Sequence, residues 1–307
     1  MSRHDDGRPR FDLQAHSRHS DGSLSPREVV ALAAEGGVEL LALSDHDTVA
    51  GVAEALAAGE SHGVGVVPAV EISGIYGRYE DLHILGYGID HRSPELLDSL
   101  TSYRRDRAAR ADRMLDALER LGLAIEERVL DWQAASGGSI GRPHLARAVF
   151  EHPANAERLS AERLERPEQV LRAYLLPGRP AYRGRTIPTA REAIECIHSA
   201  GGVAVWAHPF WDIEDPAEVL RTLEAFVGFG LDGVESFYVT HDPMQVEILA
   251  GASVAFDLLS TGSSDFHGPD HAIFSAFRRH ALHDLEPNLG PIPSFATVHP
   301  LTQKGHR

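Results

Sequence analysis

Residues 40–73 read LLALSDHDTVAGVAEALAAGESHGVGVVPAVEIS, a stretch that contains one complete strand–helix–strand pattern. The apolar run 40–44 predicts a buried strand, the alanine-rich segment 49–58 predicts a helix, and the β-branched run 64–70 predicts a second strand. Strands joined through a helix lie parallel in one sheet and end at the same edge. Because His46 follows the first strand and Glu71 follows the second, both side chains are expected at that edge.

The same alternation of short apolar runs and helical segments continues on both sides of this stretch. Strands are predicted at 11–14, 40–44, 64–70, 82–87, 203–207, 233–237 and 258–262. The first helix is expected to begin at Ser25 and Pro26, a favoured cap followed by a favoured first residue. Seven strands alternating with helices predict an α/β fold with a closed parallel sheet, a (β/α)7 barrel similar to the TIM barrel.

The rhythm of strands and helices divides the chain into four parts. Residues 10–100 and 188–286 are predicted to form the two parts of the barrel. A long helix is expected to span 94–121, and the whole of 101–187 has no clear strand and is predicted to be a helical insertion or cap. Residues 287–307 are rich in proline and glycine and are predicted to be a loosely ordered tail.

Composition narrows the class of protein. The net charge of −16 disfavours binding of long nucleic acid, which depends on basic residues that release counterions. A single cysteine, Cys196, excludes an internal disulfide, and the chain has no apolar run long enough to span a membrane. The N terminus is polar and does not resemble a signal peptide, so a cytoplasmic enzyme is expected, as a monomer or a small homo-oligomer.

Side chains that can bind metal recur just after the predicted strands. The candidates are Asp12, His16, Asp21, Asp45, His46, Asp47, Glu71, His83, His144, His208, Asp265 and His267. A lone histidine at a strand end is more often a hydrogen-bonded core or surface residue. Chance is a poor explanation, however, for candidate ligands that recur in seven segments. Since parallel strands of a barrel end on one face, these groups are expected to converge as a polynuclear metal site.

Seven motifs then suggest a family: DLQAHSRHSDGSLSP, LSDHDTVAG, PAVEIS, LHILGYG, GRPHLA, WAHP and GSSDFHG. In this order they resemble the polymerase and histidinol phosphatase (PHP) family of metal-dependent phosphoesterases. The GRPHLA motif and the helical insertion are most similar to its nucleotide phosphatase and 5′-3′ exoribonuclease branch. The resemblance implies a distorted (β/α)7 barrel with two or three divalent ions, manganese as the first choice and zinc or iron as alternatives.

The resemblance also implies a role for each candidate. The metal ligands would be His16, Glu71 and Asp265 for a first ion, Glu71 with His83 and His208 for a second, and Asp21, His46 and His267 for a third. Catalytic roles would fall to His144, His267 and Asp265, with His144 or His267 as the proton donor. Substrate phosphate would be bound by His144, Arg107 and Arg110.

One position departs from the family pattern. Where the family's opening motif usually reads His-x-His, this chain has Gln14 before His16. A neutral amide oxygen binds transition metals less strongly than imidazole does, so Gln14 is expected to be a weak ligand and the first site a weakened one.

Several aromatic and acidic residues lack motif support. Glu235 and Tyr238 follow a predicted strand, where a structural role and substrate contact are equally expected. Trp206 and Trp211 lie on either side of His208 and are predicted to be core or pocket wall. The remaining histidines expected at the surface are His241, His271, His280 and His283.

These inferences combine into one functional hypothesis. The chain is expected to hydrolyse phosphate monoesters of a small phosphorylated substrate by a metal-activated hydroxide, as a phosphatase or exonuclease. The substrate would be a nucleotide such as a 3′,5′-bisphosphate, or the 5′ end of a short RNA, with no membrane partner. Two alternatives stay open: a histidinol-phosphate phosphatase, and a non-catalytic PHP module that binds metal without turnover.

Overall fold

A computed structural model describes residues 8–135 and 140–296, without the side chains of 132–135. The chain divides into two compact units. The first is formed by residues up to Leu100 and from Pro188 onward, and the second is Thr101–Ile187. Within the described residues, no helix combines the length and the apolar character needed to cross a bilayer.

The first unit is built on a seven-stranded sheet whose strands are adjacent in sequence order. The strands are β1 (Phe11–Asp12), β2 (Leu40–Leu43), β3 (Gly65–Tyr76), β4 (Tyr79–Tyr87), β5 (Val203–Trp206), β6 (Gly233–Tyr238) and β7 (Leu259–Ser263). The edges of the sheet meet, because Leu13 N donates to Gly262 O at 3.2 Å and His16 N donates to Phe266 O at 2.8 Å. The predicted α/β barrel is thereby confirmed.

The prediction of a wholly parallel sheet is wrong for β4, which pairs antiparallel with both β3 and β5. β3 and β4 are separated only by Gly77 and Arg78, and Gly77 adopts a left-handed φ of 58°. So short a connection makes a hairpin, whereas a parallel pair needs a crossover of a dozen residues or so. The hairpin is one source of the distortion implied by the family resemblance.

Eleven α-helices are present in the described residues. They are α1 (Pro26–Glu35), α2 (Val52–His62), α3 (Pro94–Arg120), α4 (Glu127–Ala135), α5 (Arg142–Glu151), α6 (Ala156–Ala161), α7 (Pro167–Val170), α8 (Ala190–Ser199), α9 (Pro209–Asp212), α10 (Pro216–Val227) and α11 (Pro243–Phe256). α1 begins as predicted: the Ser25 side chain accepts from Glu28 N, and Glu28 in turn accepts from Ser25 N. Two reciprocal bonds of this kind satisfy backbone donors that a helix otherwise leaves open.

Two apolar cores stabilise the first unit. Inside the barrel, Leu13, Ala42, Val67, Leu85 and Val205 pack with none of their surface exposed. A second cluster joins α1 and α2 to the outside of β2 and β3 through buried aliphatic side chains. Burial of this kind stabilises a fold by about 25 cal/mol per Å² of apolar surface, and here it fixes the strands that carry the polar candidates.

The second unit has a core of its own. Its described residues contain helices and turns but no strand. Met114 and Leu118 of α3 pack with Leu145 and Val149 of α5. The buried amide of Asn155 donates to Ala124 O and Val149 O and accepts from Ala124 N. A fully bonded buried amide of this kind fixes how the helices meet.

The predicted loose tail is wrong for its first half. Residues Ile292–Phe295 form a 3₁₀ helix, and Ile292 is fully buried against the core inside the barrel. Asn288 N also donates to Ser260 Oγ at 2.7 Å, which ties the segment to β7. The apolar side chains of Leu289, Ile292 and Phe295 outweigh the turn-forming residues between them. Residues 297–307 lie outside the described part of the chain.

Two of the four histidines expected at the surface, His241 and His280, are instead buried. The His280 ring lies 5.1 Å from the ring of Phe11, and neither of its nitrogens has a hydrogen-bonding partner in the described structure. Burial, reinforced by the charge of Arg278, lowers the pKa of His280 to about 3. His280 is therefore a neutral core residue at physiological pH.

We expect His280 to make the protein sensitive to mild acid. An unfolded chain takes up the imidazole proton near pH 6.5, whereas the folded protein takes it up only near pH 3. Stability is therefore lost as the pH falls below 6.5, by about 2 kcal/mol at pH 5. Urea unfolding of EDTA-treated wild type and His280→Phe, followed by tryptophan emission at pH 7.5 and 5, measures this. An equal loss of stability in both proteins would contradict it.

Candidate metal centre

Glu71 lies at the centre of the candidate site, with its side chain fully buried. Its Oε2 atom is 3.1 Å from His16 Nε2. Its Oε1 atom is 2.8 Å from His83 Nδ1 and 3.3 Å from His208 Nε2, and those two nitrogens are 3.3 Å apart. The two oxygens of one carboxylate therefore face two separate sets of imidazoles, as a ligand that bridges two cations does.

Asp265 completes the set around Glu71 Oε2. Asp265 Oδ1 is 3.0 Å from His16 Nε2, and in the described structure neither of these buried atoms makes a hydrogen bond. Buried polar atoms without a partner are costly. Ligand atoms about 2.1 Å from a tetrahedral ion lie roughly 3.4 Å apart, so the spacing of these atoms is close to what a divalent cation needs.

A third group lies nearer the solvent. Asp21, whose side chain is half exposed, places its carboxylate oxygens 3.5 Å from His46 Nε2 and 3.4 Å from His267 Nε2. The other nitrogen of His16, Nδ1, is 3.6 Å from Asp21 Oδ1. His16 thus faces two groups, one with each ring nitrogen, which the sequence did not predict.

The structure brings together all eight residues proposed from the sequence as metal ligands. Three overlapping groups have ligand atoms within 4.8 Å of one another: His16, Glu71 and Asp265; His46, Glu71 and His83; and His16, Asp21, His46 and His267. His208 joins through its contacts with Glu71 and His83. Imidazole nitrogens and carboxylate oxygens in these numbers suit manganese, zinc or iron.

Glu71 and His46 have the protonation states of metal ligands. Burial alone would raise the pKa of Glu71, but His46 and His83, with contacts from His16 and His208, outweigh it and lower that pKa well below the usual range. Burial lowers the pKa of His46 to about 4, so this ring is neutral at pH 7. An ionised carboxylate beside a neutral imidazole is the protonation state that binds metal.

The backbone at two ligands is strained. His208 has a φ of 29° and Asp265 a φ of 52°, backbone values that residues other than glycine rarely adopt. Asp265 is further fixed by Tyr238, whose hydroxyl donates to Asp265 Oδ2 at 2.7 Å. Burial and the nearby charge of Asp265 raise the pKa of Tyr238, which keeps the phenol protonated as a donor. Strain of this kind is typical of functional sites.

Gln14 does not have the geometry of a weak ligand. Its amide nitrogen, rather than its carbonyl oxygen, faces the site and donates to Glu71 Oε2 at 2.9 Å. Its carbonyl oxygen accepts from Ser263 Oγ at 3.2 Å. An amide nitrogen has no lone pair to offer a metal, so in this orientation Gln14 hydrogen-bonds Glu71, and its role as a weak ligand stays a prediction.

Behind Gln14 lies a buried acid that motifs did not identify. Glu235 Oε1 is 2.6 Å from Ser263 Oγ, and Glu235 Oε2 accepts from His208 N at 2.9 Å. Burial raises the pKa of Glu235 to about 8. Ser263 Oγ donates to Glu235 Oε1, and the same hydroxyl lies 3.2 Å from Gln14 Oε1. The chain Glu235–Ser263–Gln14 thus ends on Glu71.

Three acidic candidates do not join the cluster. Asp12 accepts from Ser264 N and Arg278 N, so it supports the backbone beside Asp265. Asp45 accepts from Ser17 N and from the hydroxyls of Ser17 and Ser20, which orders the loop after His16. Asp47 accepts from Ser73 N. These carboxylates bond backbone or hydroxyl groups that position the ligands.

The three substrate-binding candidates all belong to the second unit. His144 is half-buried near the start of α5, where its Nδ1 accepts from Gly141 N at 3.0 Å. Arg110 on α3 is only 6% exposed, and its Nε donates to Arg183 O at 2.9 Å. The role of Arg110 in phosphate binding stays a prediction. Arg107 is half-buried on the same helix, and its role, like that of His144, stays a prediction.

Comparison with known proteins gives a consistent picture. A model of the PHP domain family matches residues 12–165. The chain is 35% identical to a 3′,5′-nucleoside bisphosphate phosphatase of Chromobacterium violaceum, over 84% of this chain and 87% of that protein. It is 35% identical to a 5′-3′ exoribonuclease of Haemophilus influenzae, over 85% and 90% of the two chains. It is also 33% identical to a phosphoribosyl 1,2-cyclic phosphate 1,2-diphosphodiesterase of Eggerthella lenta, over 84% and 94%.

Solved structures agree with these relatives. A Chromobacterium violaceum amidohydrolase with bound sulfate has a TM-score of 0.71 at 33% identity, covering 88% of this chain and 91% of that one. A protein of Bifidobacterium adolescentis assigned as a metal-dependent phosphoesterase has a TM-score of 0.66 at 29% identity, covering 86% and 89%.

Proposed function

Because the chain belongs to the PHP domain family, we propose that it is a metal-dependent phosphoesterase, a hydrolase of phosphoric ester bonds. The observation that carries the proposal is Glu71, whose two oxygens lie 3.1, 2.8 and 3.3 Å from nitrogens of His16, His83 and His208. We further propose two or three divalent ions, manganese first and zinc or iron as alternatives, bound by the eight residues that converge there.

The proposed reaction divides the work between cations and side chains. Divalent cations, when bound, neutralise charge on the transferred phosphoryl group and lower the pKa of the attacking water. Glu71 and Asp265 supply the negative charge that retains the cations, and Tyr238 orients Asp265. Positioning of this kind matters because phosphoryl transfer depends mainly on alignment and charge neutralisation.

The leaving oxygen also needs a proton, for which the sequence suggested His144 or His267. His267 Nδ1 lies 2.7 Å from the carbonyl oxygen of Asp265, and its Nε2 faces Asp21 at 3.4 Å. If its Nε2 bound a cation, the one proton left on this ring would be the Nδ1 proton that the Asp265 carbonyl accepts, which is not available to a leaving group. This argument favours His144 as the proton donor.

We propose a base-bearing substrate, either a nucleoside 3′,5′-bisphosphate or the 5′ end of a short RNA, because relatives of both activities are equally similar to this chain. The protein loaded with Mn²⁺ is expected to release phosphate or mononucleotide from adenosine 3′,5′-bisphosphate or from a 5′-phosphorylated oligoribonucleotide. Histidinol phosphate and p-nitrophenyl phosphate complete the panel. EDTA should abolish turnover, and Mn²⁺ should restore it.

The other outcomes of this panel would each support a different function. Preferred release of phosphate from histidinol phosphate would replace the proposed substrate class with the histidinol-phosphate alternative. Release from no member, by protein that has bound Mn²⁺, would contradict catalysis and support a non-catalytic metal-binding module.

A further inference from the structure

Trp211 is held at a fixed position relative to the metal-ligand candidate His208. β5 ends at the fully buried Trp206, and the strained backbone of His208 leads directly into the single turn of α9. Trp211 N donates to His208 O at 2.8 Å within that turn. Three residues after His208, the Trp211 side chain is nevertheless 49% exposed.

The indole rests on rings that themselves contact the metal cluster. It lies 5.6 Å from the ring of Phe274 and 6.5 Å from the ring of Tyr238. Phe274 is 5.3 Å from the ring of His267, and Tyr238 is 5.1 Å from the ring of His208. These three aromatic residues, Trp211, Tyr238 and Phe274, form what we call the aromatic shelf.

The exposure of the shelf is confined to its outer ring. Tyr238 and Phe274 are 2% and 7% exposed, so they act as a rigid support, while half of Trp211 faces solvent. Single exposed apolar residues are common and need no explanation on their own. Trp211 differs because it is ordered by other rings and adjoins a cluster whose chemistry suits a phosphate.

A nucleotide has two parts that complement this surface. Its anionic phosphate suits the candidate metal ligands, and its flat aromatic base suits the indole. Bases bind proteins by stacking on indole, phenyl and guanidinium planes, largely irrespective of which base is present. A sugar phosphate without a base would leave the indole in water. Stacking on Trp211 would therefore favour a substrate that carries a base, such as a nucleoside bisphosphate, over a phosphoribosyl compound without one; both kinds occur in the names of the relatives.

We propose that Trp211 stacks against the nucleobase of the substrate and that the aromatic shelf is a base-binding subsite beside the metal cluster. This inference rests on the proposed phosphoesterase function and deepens it: it assigns the enzyme to nucleotides or RNA ends rather than to base-free sugar phosphates.

The test compares two substrates that differ only in the base: adenosine 3′,5′-bisphosphate and the corresponding abasic ribose 3,5-bisphosphate. Trp211→Ala is expected to raise the KM for the adenosine compound about 5- to 150-fold, the range found when a stacking aromatic residue is removed. Its KM for the abasic compound and its kcat for both should stay near wild type. Trp211→Phe, which keeps a ring, should recover most of the loss.

The matched control is Val254→Ala, which truncates an 85% exposed side chain that lies beside Leu258 and Asn288. It should leave both KM values unchanged. Equal effects of Trp211→Ala on the two substrates, or no effect on either, would overturn the subsite.

A binding measurement separates failure of the subsite from failure of the proposed function. Adenosine 3′,5′-bisphosphate is expected to quench tryptophan emission of the metal-loaded protein in a saturable manner, and Trp211→Phe should remove that quenching. If neither the bisphosphates nor any other member of the substrate panel is hydrolysed, the proposed function fails, yet quenching that depends on Trp211 still supports the base subsite. Binding without such quenching overturns the subsite, whatever the activity.

Discussion

Glu71→Gln is expected to reduce the phosphoesterase rate by about 10³-fold or more, because charge neutralisation by cations contributes several kcal/mol to such reactions. The amide has the shape of the carboxylate and fits the fully buried position. It removes the negative charge that faces His16 through one oxygen and His83 and His208 through the other. Loss of one residue thus weakens two cation positions at once.

Two measurements separate this result from simple misfolding. Metal bound per chain, determined after dialysis against Mn²⁺, should fall in Glu71→Gln while the fold is retained by circular dichroism. The matched control is Glu247→Gln, the same change at an exposed glutamate on α11, which should leave metal content and turnover unchanged. Normal metal content and normal turnover in Glu71→Gln would contradict the proposed role.

The barrel was predictable because its signals are local and repeat. Each parallel strand is a short apolar run followed by polar ligand types, and parallel strands must end on one face. His16, His46 and Asp265 follow their strands in this way, so their convergence needed no structure. The pairing of each nitrogen with a carboxylate could not be predicted without the structure. His16 uses both ring nitrogens because of how separate loops fold together.

Other errors have specific physical causes. Periodicity predicts β4 as another parallel strand because it reports burial and not direction. The signal for an antiparallel strand is the two-residue connection at Gly77. His280 was placed at the surface by residue type, yet its ring packs on Phe11 in the core. The half-exposed Trp211 and the buried Trp206 occur five residues apart, and only α9 distinguishes their environments.

Gln14 shows the limit of motif reasoning most clearly. The sequence identified it as a departure from His-x-His and predicted a weakened metal site. In the structure it is 1% exposed and donates to Glu71 Oε2, occupying an oxygen lone pair that also faces His16. The expected weakness of the first site therefore has a second cause besides the missing imidazole: the amide competes with a cation for Glu71.

Gln14→His is accordingly expected to raise the metal content by up to one ion per chain. An imidazole at this position supplies a nitrogen lone pair close to Glu71 and His16, and imidazole binds transition metals more strongly than an amide does. The measurement is bound Mn²⁺ or Zn²⁺ per chain after dialysis, with the melting temperature of the metal-loaded protein as a second readout, since ligands that bind only the folded state stabilise it.

Gln14→Leu is the control that separates the two causes. It removes the hydrogen bond to Glu71 but supplies no ligand, so a rise in its metal content above wild type measures competition by the amide alone, and any further rise in Gln14→His measures the imidazole. A hydrogen bond to a charged group contributes about 1.5–3 kcal/mol, and its loss should lower kcat/KM by about tenfold or more as Glu71 loses its orientation. If Gln14→His binds no more metal than wild type, the missing imidazole is not what limits the first site. If Gln14→Leu is fully active, Gln14 does not position Glu71.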